Sequence, residues 1–233
     1  MVTEYIIFPL GSEIVRNRIP EWTRSFVFFG PEGTGKTLVV RACVSETNSV
    51  MFDMSPDNTK GKYNVGKDAE KLVAMVMFTA KHYQPSIIYI DDCHDVFPQK
   101  KKGKKGKKKG GGKDPNNPTR FKKALVKWRT KWINDKTRIT IIGCTSNPEG
   151  SSKKEFRKFF DKAIFFPFPD YTTRRMMWKS FIESHKGELR PDFPLSTLAH
   201  ITEGYSAGSI KRTVDKVLTD FRVKNLQNRP LTL

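Results

Sequence analysis

Eight consecutive residues, Gly30-Pro31-Glu32-Gly33-Thr34-Gly35-Lys36-Thr37, carry the most specific chemistry in this chain. Two glycines separated by four residues and followed by Lys and Thr form a template in which backbone N–H groups turn inward around a phosphate. Lys36 is then placed to reach the β and γ oxygens, and the Thr37 hydroxyl to ligate Mg²⁺. The flanks supply what such a loop requires. Ser25 to Phe29 (SFVFF) is a short apolar, β-favouring run that reads as a buried strand, and Leu38 to Val44 continues as a helix whose N-terminus faces the phosphates. The pattern predicts ATP or ADP with Mg²⁺ as cofactor, cradled by residues 30 to 37 with Leu38.

A second group of candidates follows from topology. In a parallel nucleotide-binding sheet the ligand sits at the carboxyl ends of the strands, so acids there are the ones to examine. Ile87-Ile88-Tyr89-Ile90-Asp91 is an apolar strand ending in a carboxylate, the Walker B pattern, in which Asp91 holds the Mg²⁺ shell opposite Thr37. Many strands end in Asp, and a turn-initiating Asp91-Asp92 pair is the alternative.

The elements that must position these groups are legible in outline. Val50 to Met54 is a second strand, bounded by Asn48-Ser49 and Ser55-Pro56-Asp57-Asn58. Ala69, Leu72, Val73, Val76 and Ala80 recur at helical spacing, which predicts a helix from Lys67 to about His82, stopped by Pro85. Ser86 to Ile90 is the third strand. Thr119 is a candidate cap for a basic helix through Trp132, Arg138 to Thr145 is a fourth strand, and Ala163 to Phe166 a fifth. Beyond Pro167 and Pro169 the pattern becomes helical: Thr172 to Ser184, Leu195 to Ile201 and Ala207 to about Val223. The expected fold is α/β, with a mainly parallel five-stranded sheet between helices and a small helical lid at the C-terminal end. The expected domains are a linker packing on the core (1–24), the nucleotide-binding domain (25–168) and the lid (169–233).

Composition sets further bounds. A chain of 233 residues holds one α/β core and a smaller unit. It contains no apolar run near the ~20 residues that span a bilayer and no signal-peptide pattern at its start, so a cytosolic protein without a membrane partner is expected. Cys43, Cys93 and Cys144 are scattered and read as reduced, buried side chains, with a catalytic thiol as the outside alternative. His82, His94, His185 and His200 form no ligand pattern and read as ordinary surface or packing residues. The net charge is +19, and nine of its lysines lie in the run Lys100 to Lys113, KKKGKKGKKKGGGK. With its flanks (about 99–118) this composition cannot bury a core and reads as a disordered basic insert. It has no interleaved aromatics on which bases stack, and Lys without Arg gives little base readout, which disfavours nucleic acid as the partner.

The order of these motifs resembles the AAA family of P-loop ATPases. Ile141 to Pro148 is similar to the strand that ends in the family's sensor-1 segment, and Thr202-Glu203-Gly204-Tyr205-Ser206-Ala207-Gly208-Ser209-Ile210 to the opening of its lid helix, which adds Gly208 to the nucleotide-binding candidates. A narrower resemblance is to the IQ and AAA domain-containing proteins of the ciliary dynein regulatory complex. It rests on Ile6 to Ser12, Gly61-Lys62-Tyr63, Gln84-Pro85-Ser86, the lysine-rich insert leading to Asp114-Pro115, Pro169-Asp170-Tyr171 with Trp178-Lys179, and Val217 to Asp220. The resemblance implies an ATP-binding module in a structural or regulatory role in the axoneme of motile cilia, with other subunits of that complex as partners. Tubulin's acidic tails are the candidate ligand of Lys100 to Lys113, and a solvated insertion is the alternative.

Departures from the family pattern bear on catalysis. Asp92 stands where an active member carries Glu to polarise the attacking water, and a displacement of ~1 Å can cost on the order of a hundredfold in rate. Ser146 replaces the usual sensor-1 Asn. Phe159 occupies the arginine-finger position, with Arg157 near it but out of register; a working finger contributes ~10³–10⁵ in rate. The resemblance therefore implies weak or absent hydrolysis, with Mg²⁺ and the γ-phosphate acting as a conformational pin. The competing reading is an active oligomeric remodeller that grips a protein substrate through Lys62-Tyr63, and a more distant one is a nucleic-acid-dependent ATPase.

Overall fold

The computed structural model describes residues 1–19, 23–61, 63, 67–99, 117–134, 137–187, 189–226 and 228–231. Lys62 and the run from Lys100 to Lys113 lie outside them. The chain divides into two compact units: Met1–Gly30 with Lys36–Phe165, and Pro31–Gly35 with Phe166–Leu233.

The first unit contains a five-stranded sheet in the order β2-β3-β4-β1-β5: β1 Ser25–Phe29, β2 Val50–Asp53, β3 Ser86–Ile90, β4 Ile139–Thr145 and β5 Lys162–Phe165. Helices α1 Phe8–Gly11 and α2 Glu13–Arg18 precede β1; every sheet pairing is parallel, so the crossovers carry helix: α3 Lys36–Thr47, α4 Pro56–Thr59, α5 Lys67–His82, α6 Cys93–Val96, α7 Lys122–Trp132 and α8 Lys153–Phe159. The inner strands β1, β3 and β4 read as near-continuous apolar runs because both their faces are covered, whereas the edge strands β2 and β5 are largely exposed. Val27, Ile88, Ile90, Ile139 and Ile141 share one core cluster with Ala69, Val73, Met77 and Ala80 of α5 and with Ala124 and Leu125 of α7. Their neighbours along the strands, Phe26, Phe28, Ile87 and Ile142, are equally buried on the opposite face. Each such side chain contributes about 1.5–3 kcal/mol by leaving water.

Gly143 is a packing glycine. A Cβ there would lie 2.6 Å from Cζ of Phe160 and 3.0 Å from Sγ of Cys93. Phe160 itself belongs to a cluster of rings with Phe97, Phe156 and Phe159. Asp161 ties the start of β1 to α7: it accepts from the backbone N–H of Arg24 (3.2 Å) and Ser25 (3.1 Å) and from the Ser25 hydroxyl (2.9 Å), and it pairs with Arg129. Burial opposes its charge, but these donors outweigh that cost and hold its carboxyl below the ordinary value.

Two local readings of the sequence are corrected and one is made specific. The opening stretch, read as a linker packing on the core, is helical: a π-helical turn Thr3–Ile7 runs into α1 and α2, with Pro9 in a first turn, where its missing N–H costs nothing, and with Ile6 and Leu10 buried. Before α7 the capping side chain is Asn117, which accepts from Thr119 N at 3.0 Å and opens a 3₁₀ turn, Pro118–Phe121. The last helix is two: α11 Ala207–Val217 stops at Leu218, and Thr219 accepts from Arg222 N to start α12 Asp220–Lys224.

The second unit contains α9 Tyr171–Ser184, α10 Leu195–Ile201, α11 and α12 around a core of Trp178, Ile182, Ile210, Val214 and Leu218. Asp170 caps α9 by accepting from Thr173 N at 2.8 Å, and Ser206 caps α11 by accepting from Ser209 N at 3.2 Å. The buried indole of Trp178 donates to Thr202 Oγ1 at 3.1 Å, which satisfies its only polar atom.

Candidate phosphate-binding site

Strand register brings the candidate residues to one edge. Phe29 pairs with Thr145 across β1 and β4, and Ile90 with Gly143 across β3 and β4. The chain leaving β1 at Gly30, β3 at Asp91 and β4 at Ser146 therefore emerges from three adjacent strands at their carboxyl ends. Strand β4 lies between β1 and β3, so the loops after β1 and β3 flank it, the crevice geometry that open parallel sheets use for ligands.

Within the first unit, Lys36 opens α3 and is buried, and its Nζ donates to the carbonyl of Gly30 at 2.8 Å. The ammonium is held on a carbonyl oxygen that an anionic oxygen would outcompete. Thr37 Oγ1 lies 3.2 Å from the hydroxyl of Tyr89. Leu38 points outward and is 71% exposed. In the second unit, Gly33 and Gly35 have φ of +74° and +92°, which only glycine adopts without strain. A Cβ on Gly33 would lie 2.6 Å from Ser206 Oγ, and Gly208 N donates to Gly33 O at 2.8 Å. Thr34 Oγ1 donates to the carbonyl of Pro31 at 2.9 Å, closing the turn that contains Glu32.

After β3, the amide of Asp91 donates to Ser55 Oγ at 2.9 Å, and Ser55 is in turn bonded to Asp53 at the end of β2. The Asp91 carboxylate accepts from Asp92 N at 3.0 Å. Asp92 sits in the left-handed region, φ +42°, a conformation costly for a residue other than glycine. Burial first, and the neighbouring Asp91 second, push its carboxyl above the ordinary value. His94 Nδ1 lies 3.1 Å from Thr145 Oγ1 and 3.9 Å from Asp92 Oδ1, and its Nε2 is 3.8 Å from Asp95.

Ser146 is half-buried and directly follows β4. Arg157 is exposed on α8 and lines a separate cleft of about 520 Å³ with Phe29, Thr145 and Lys162. Phe159 packs in the ring cluster, its centroid 4.8 Å from that of Phe97, so this position works as core. Tyr63 is exposed with φ +57°.

Four contributors were not singled out from the sequence. Tyr89 was legible in principle: two residues before Asp91 on a strand, it shares the carboxylate's face. Asp53 and Ser55 become neighbours of Asp91 only because β2 lies beside β3, which no local pattern announces. His94, read as ordinary, is bonded into the site by Thr145.

Within the first unit the residues fit a Mg²⁺-nucleotide: a buried ammonium and a hydroxyl from the first turn of α3, with a carboxylate just past β3, are groups such a ligand takes. Among the described residues no cluster of three or more His, Cys, Asp or Glu side chains is placed to hold a metal ion.

Comparison with known proteins agrees with this geometry. The chain is 32% identical to mouse dynein regulatory complex protein 11 over its whole length, which is 26% of that protein. It is 28% identical to spastin of Ixodes scapularis over 90% of this chain and 30% of that one. The chain thus spans about a quarter to a third of the curated relatives it matches. A crystal structure of the FIGL-1 AAA domain in complex with ADP superposes with a TM-score of 0.73 at 21% identity, covering 98% of this chain and 70% of that one. The sequence model of the ATPase family associated with various cellular activities matches residues 26–168, and on that match, well over half its length, the chain belongs to the AAA family.

Proposed function

We propose that this chain is a Mg²⁺-nucleotide-binding AAA module with a structural or regulatory role in the axonemal dynein regulatory complex, and with slow or absent ATP hydrolysis. The observation that carries the binding part is the Lys36 ammonium, buried and turned onto the Gly30 carbonyl at the head of α3, where arriving phosphate oxygens would take it over. Residues 33 to 38 would hold the phosphates. Thr37 and Asp91 would hold the cation, which neutralises phosphate charge. Slow turnover is supported by Asp92, one methylene shorter than the expected Glu and strained in the left-handed region, and by the burial of Phe159 where a finger would project. Similarity to mouse dynein regulatory complex protein 11 supports the ciliary setting and partners from that complex.

Calorimetric titration with Mg·ADP and Mg·ATP tests the binding claim. Wild-type protein should bind both, and Lys36→Ala should abolish binding. Equal affinities would mean that the loop does not bind the nucleotide.

A second reading, an active oligomeric remodeller, is favoured by one observation: Tyr63 is exposed and held at positive φ beside Gly61, as a side chain presented to a substrate would be. Brisk Lys36-dependent turnover that Tyr63→Ala abolishes only in the presence of a protein substrate would select it. The basic run Lys100 to Lys113 is proposed to touch acidic tubulin tails. Replacing it with Gly-Ser should remove salt-sensitive co-sedimentation with microtubules, and binding that survives the replacement would leave the run as an insertion.

A further inference from the structure

Helix α5 carries two apolar stripes, and the core uses one. Ala69, Val73, Met77 and Ala80 are buried against the sheet. On the outward side Met75 is 59% and Phe78 66% exposed, and Tyr83 just beyond the helix is 57% exposed. Phe78 continues into a strip of rings on α7: its centroid is 5.9 Å from that of Trp132, which is 5.5 Å from that of Trp128. Lysines line this strip. Lys81 Nζ stands 5.0 Å over the Trp132 ring and Lys131 Nζ 5.3 Å over Trp128, and neither has a carboxylate partner among the described residues. Lys127 joins α7 to α5 through Glu70 at 2.6 Å. No acid occurs along α7 (KKALVKWRTKW).

We infer that the α5–α7 face is a docking surface for an acidic amphipathic helix of a partner protein. The contiguous apolar strip supplies the burial, which a free surface of this kind rarely leaves unused. Lys81 and Lys131, each beside one of the two indoles, select carboxylates flanking the bound apolar stripe, the helix-in-groove mode with charged flanks. Nucleic acid fits less well, because lysine ammonium groups already lie over the two indole faces where a base would stack. A second copy of this chain fits poorly too. It would set the same lysines against each other, and the acids at hand, Glu70 and Asp68, are engaged with Lys127 and Lys71.

The test uses the full 233-residue chain and three fluorescent probes: a synthetic helix about 20 residues long with Leu on one face and Glu on its flanks, the same helix with Lys for Glu, and a single-stranded oligonucleotide. The acidic helix should bind, and the basic helix and the oligonucleotide much more weakly. Phe78→Ser, and separately Lys81→Glu with Lys131→Glu, should each weaken the acidic helix by about tenfold or more, as expected at anchor positions. Thermal unfolding of each variant verifies that the fold is retained, and these side chains are exposed enough for that to hold. Equal affinity for both helices, tighter binding of the oligonucleotide, or undiminished binding by either folded variant overturns the proposal. So does self-association of the wild type that Phe78→Ser abolishes while the acidic helix fails to bind.

Discussion

The hydroxyls of Tyr89 and Thr37 stand 3.2 Å apart, one on β3 and the other in the first turn of α3. A threonine oxygen that turns a lone pair toward a cation must place its own proton elsewhere, and the Tyr89 oxygen is in position to accept it. Tyr89→Phe should leave the fold intact and lower nucleotide affinity by about two- to tenfold in Mg²⁺, the worth of one neutral hydrogen bond, with no change in EDTA. Titrations in both buffers measure this. Equal loss in the two would make Tyr89 a packing residue only.

Turnover should lie at least about a hundredfold below the ~10 s⁻¹ of a typical enzyme. Asp92→Glu should recover little of it, because Ser146 and Phe159 remain and defects in one transition state are not repaired singly. Phosphate release by purified protein decides the matter, and full recovery by that one substitution would assign the whole deficit to Asp92.

Gly143→Ala should destabilise the fold by about 1–3 kcal/mol, since the added methyl meets a ring carbon at 2.6 Å and a buried sulfur at 3.0 Å inside β4. Chemical denaturation should show a lower midpoint with an unchanged slope. Unchanged stability would mean that the Phe160 ring yields freely.

All three cysteines are buried, and burial pushes their thiols up: Cys43 to about 11, Cys144 to about 12, and Cys93 well above its usual value. They should be inert to a thiol reagent at pH 8 in the native state and react together on unfolding. Fast labelling of one of them in the native protein would reopen the case for a functional thiol.

Asp161 contributes to the acid limb of stability. Its folded carboxyl lies below the ordinary 3.8, so its contribution is complete above that value and is lost as pH falls through the depressed one. Asp161→Asn should lower stability at neutral pH and flatten the decline below about pH 4. Parallel curves for the two proteins would refute the assignment.

The sheet and the phosphate loop were legible because each rests on a local pattern: apolar runs of strand length, a helical recurrence from Ala69 to Ala80, and glycines at the spacing a phosphate requires. Features decided by neighbours in space were not. That Ser55 supports Asp91 depends on β2 lying next to β3, and the exposed stripe on α5 shows only as Met75 and Phe78 among residues that satisfy the same helical period. The break at Leu218 was hidden for a related reason. Val214, Leu218 and Val223 all serve the same core, so the apolar spacing continues across a point where the backbone restarts at a Thr219 cap.

The position of β1 between β4 and β5 has a consequence for how this chain comes to be folded. Its first strand acquires hydrogen-bonding neighbours only from residues 139–145 and 162–165, more than a hundred positions later. Strands β2 and β3 can pair early on the ribosome, but β1 waits with both edges bare, and five consecutive residues of Ser, Phe and Val make it an adhesive segment while it waits. A nascent chain arrested before Ile139 should therefore be held by chaperones or aggregate, and release should coincide with the emergence of β5. The strand that presents the phosphate loop is the earliest of the five to be synthesised and the last to be enclosed.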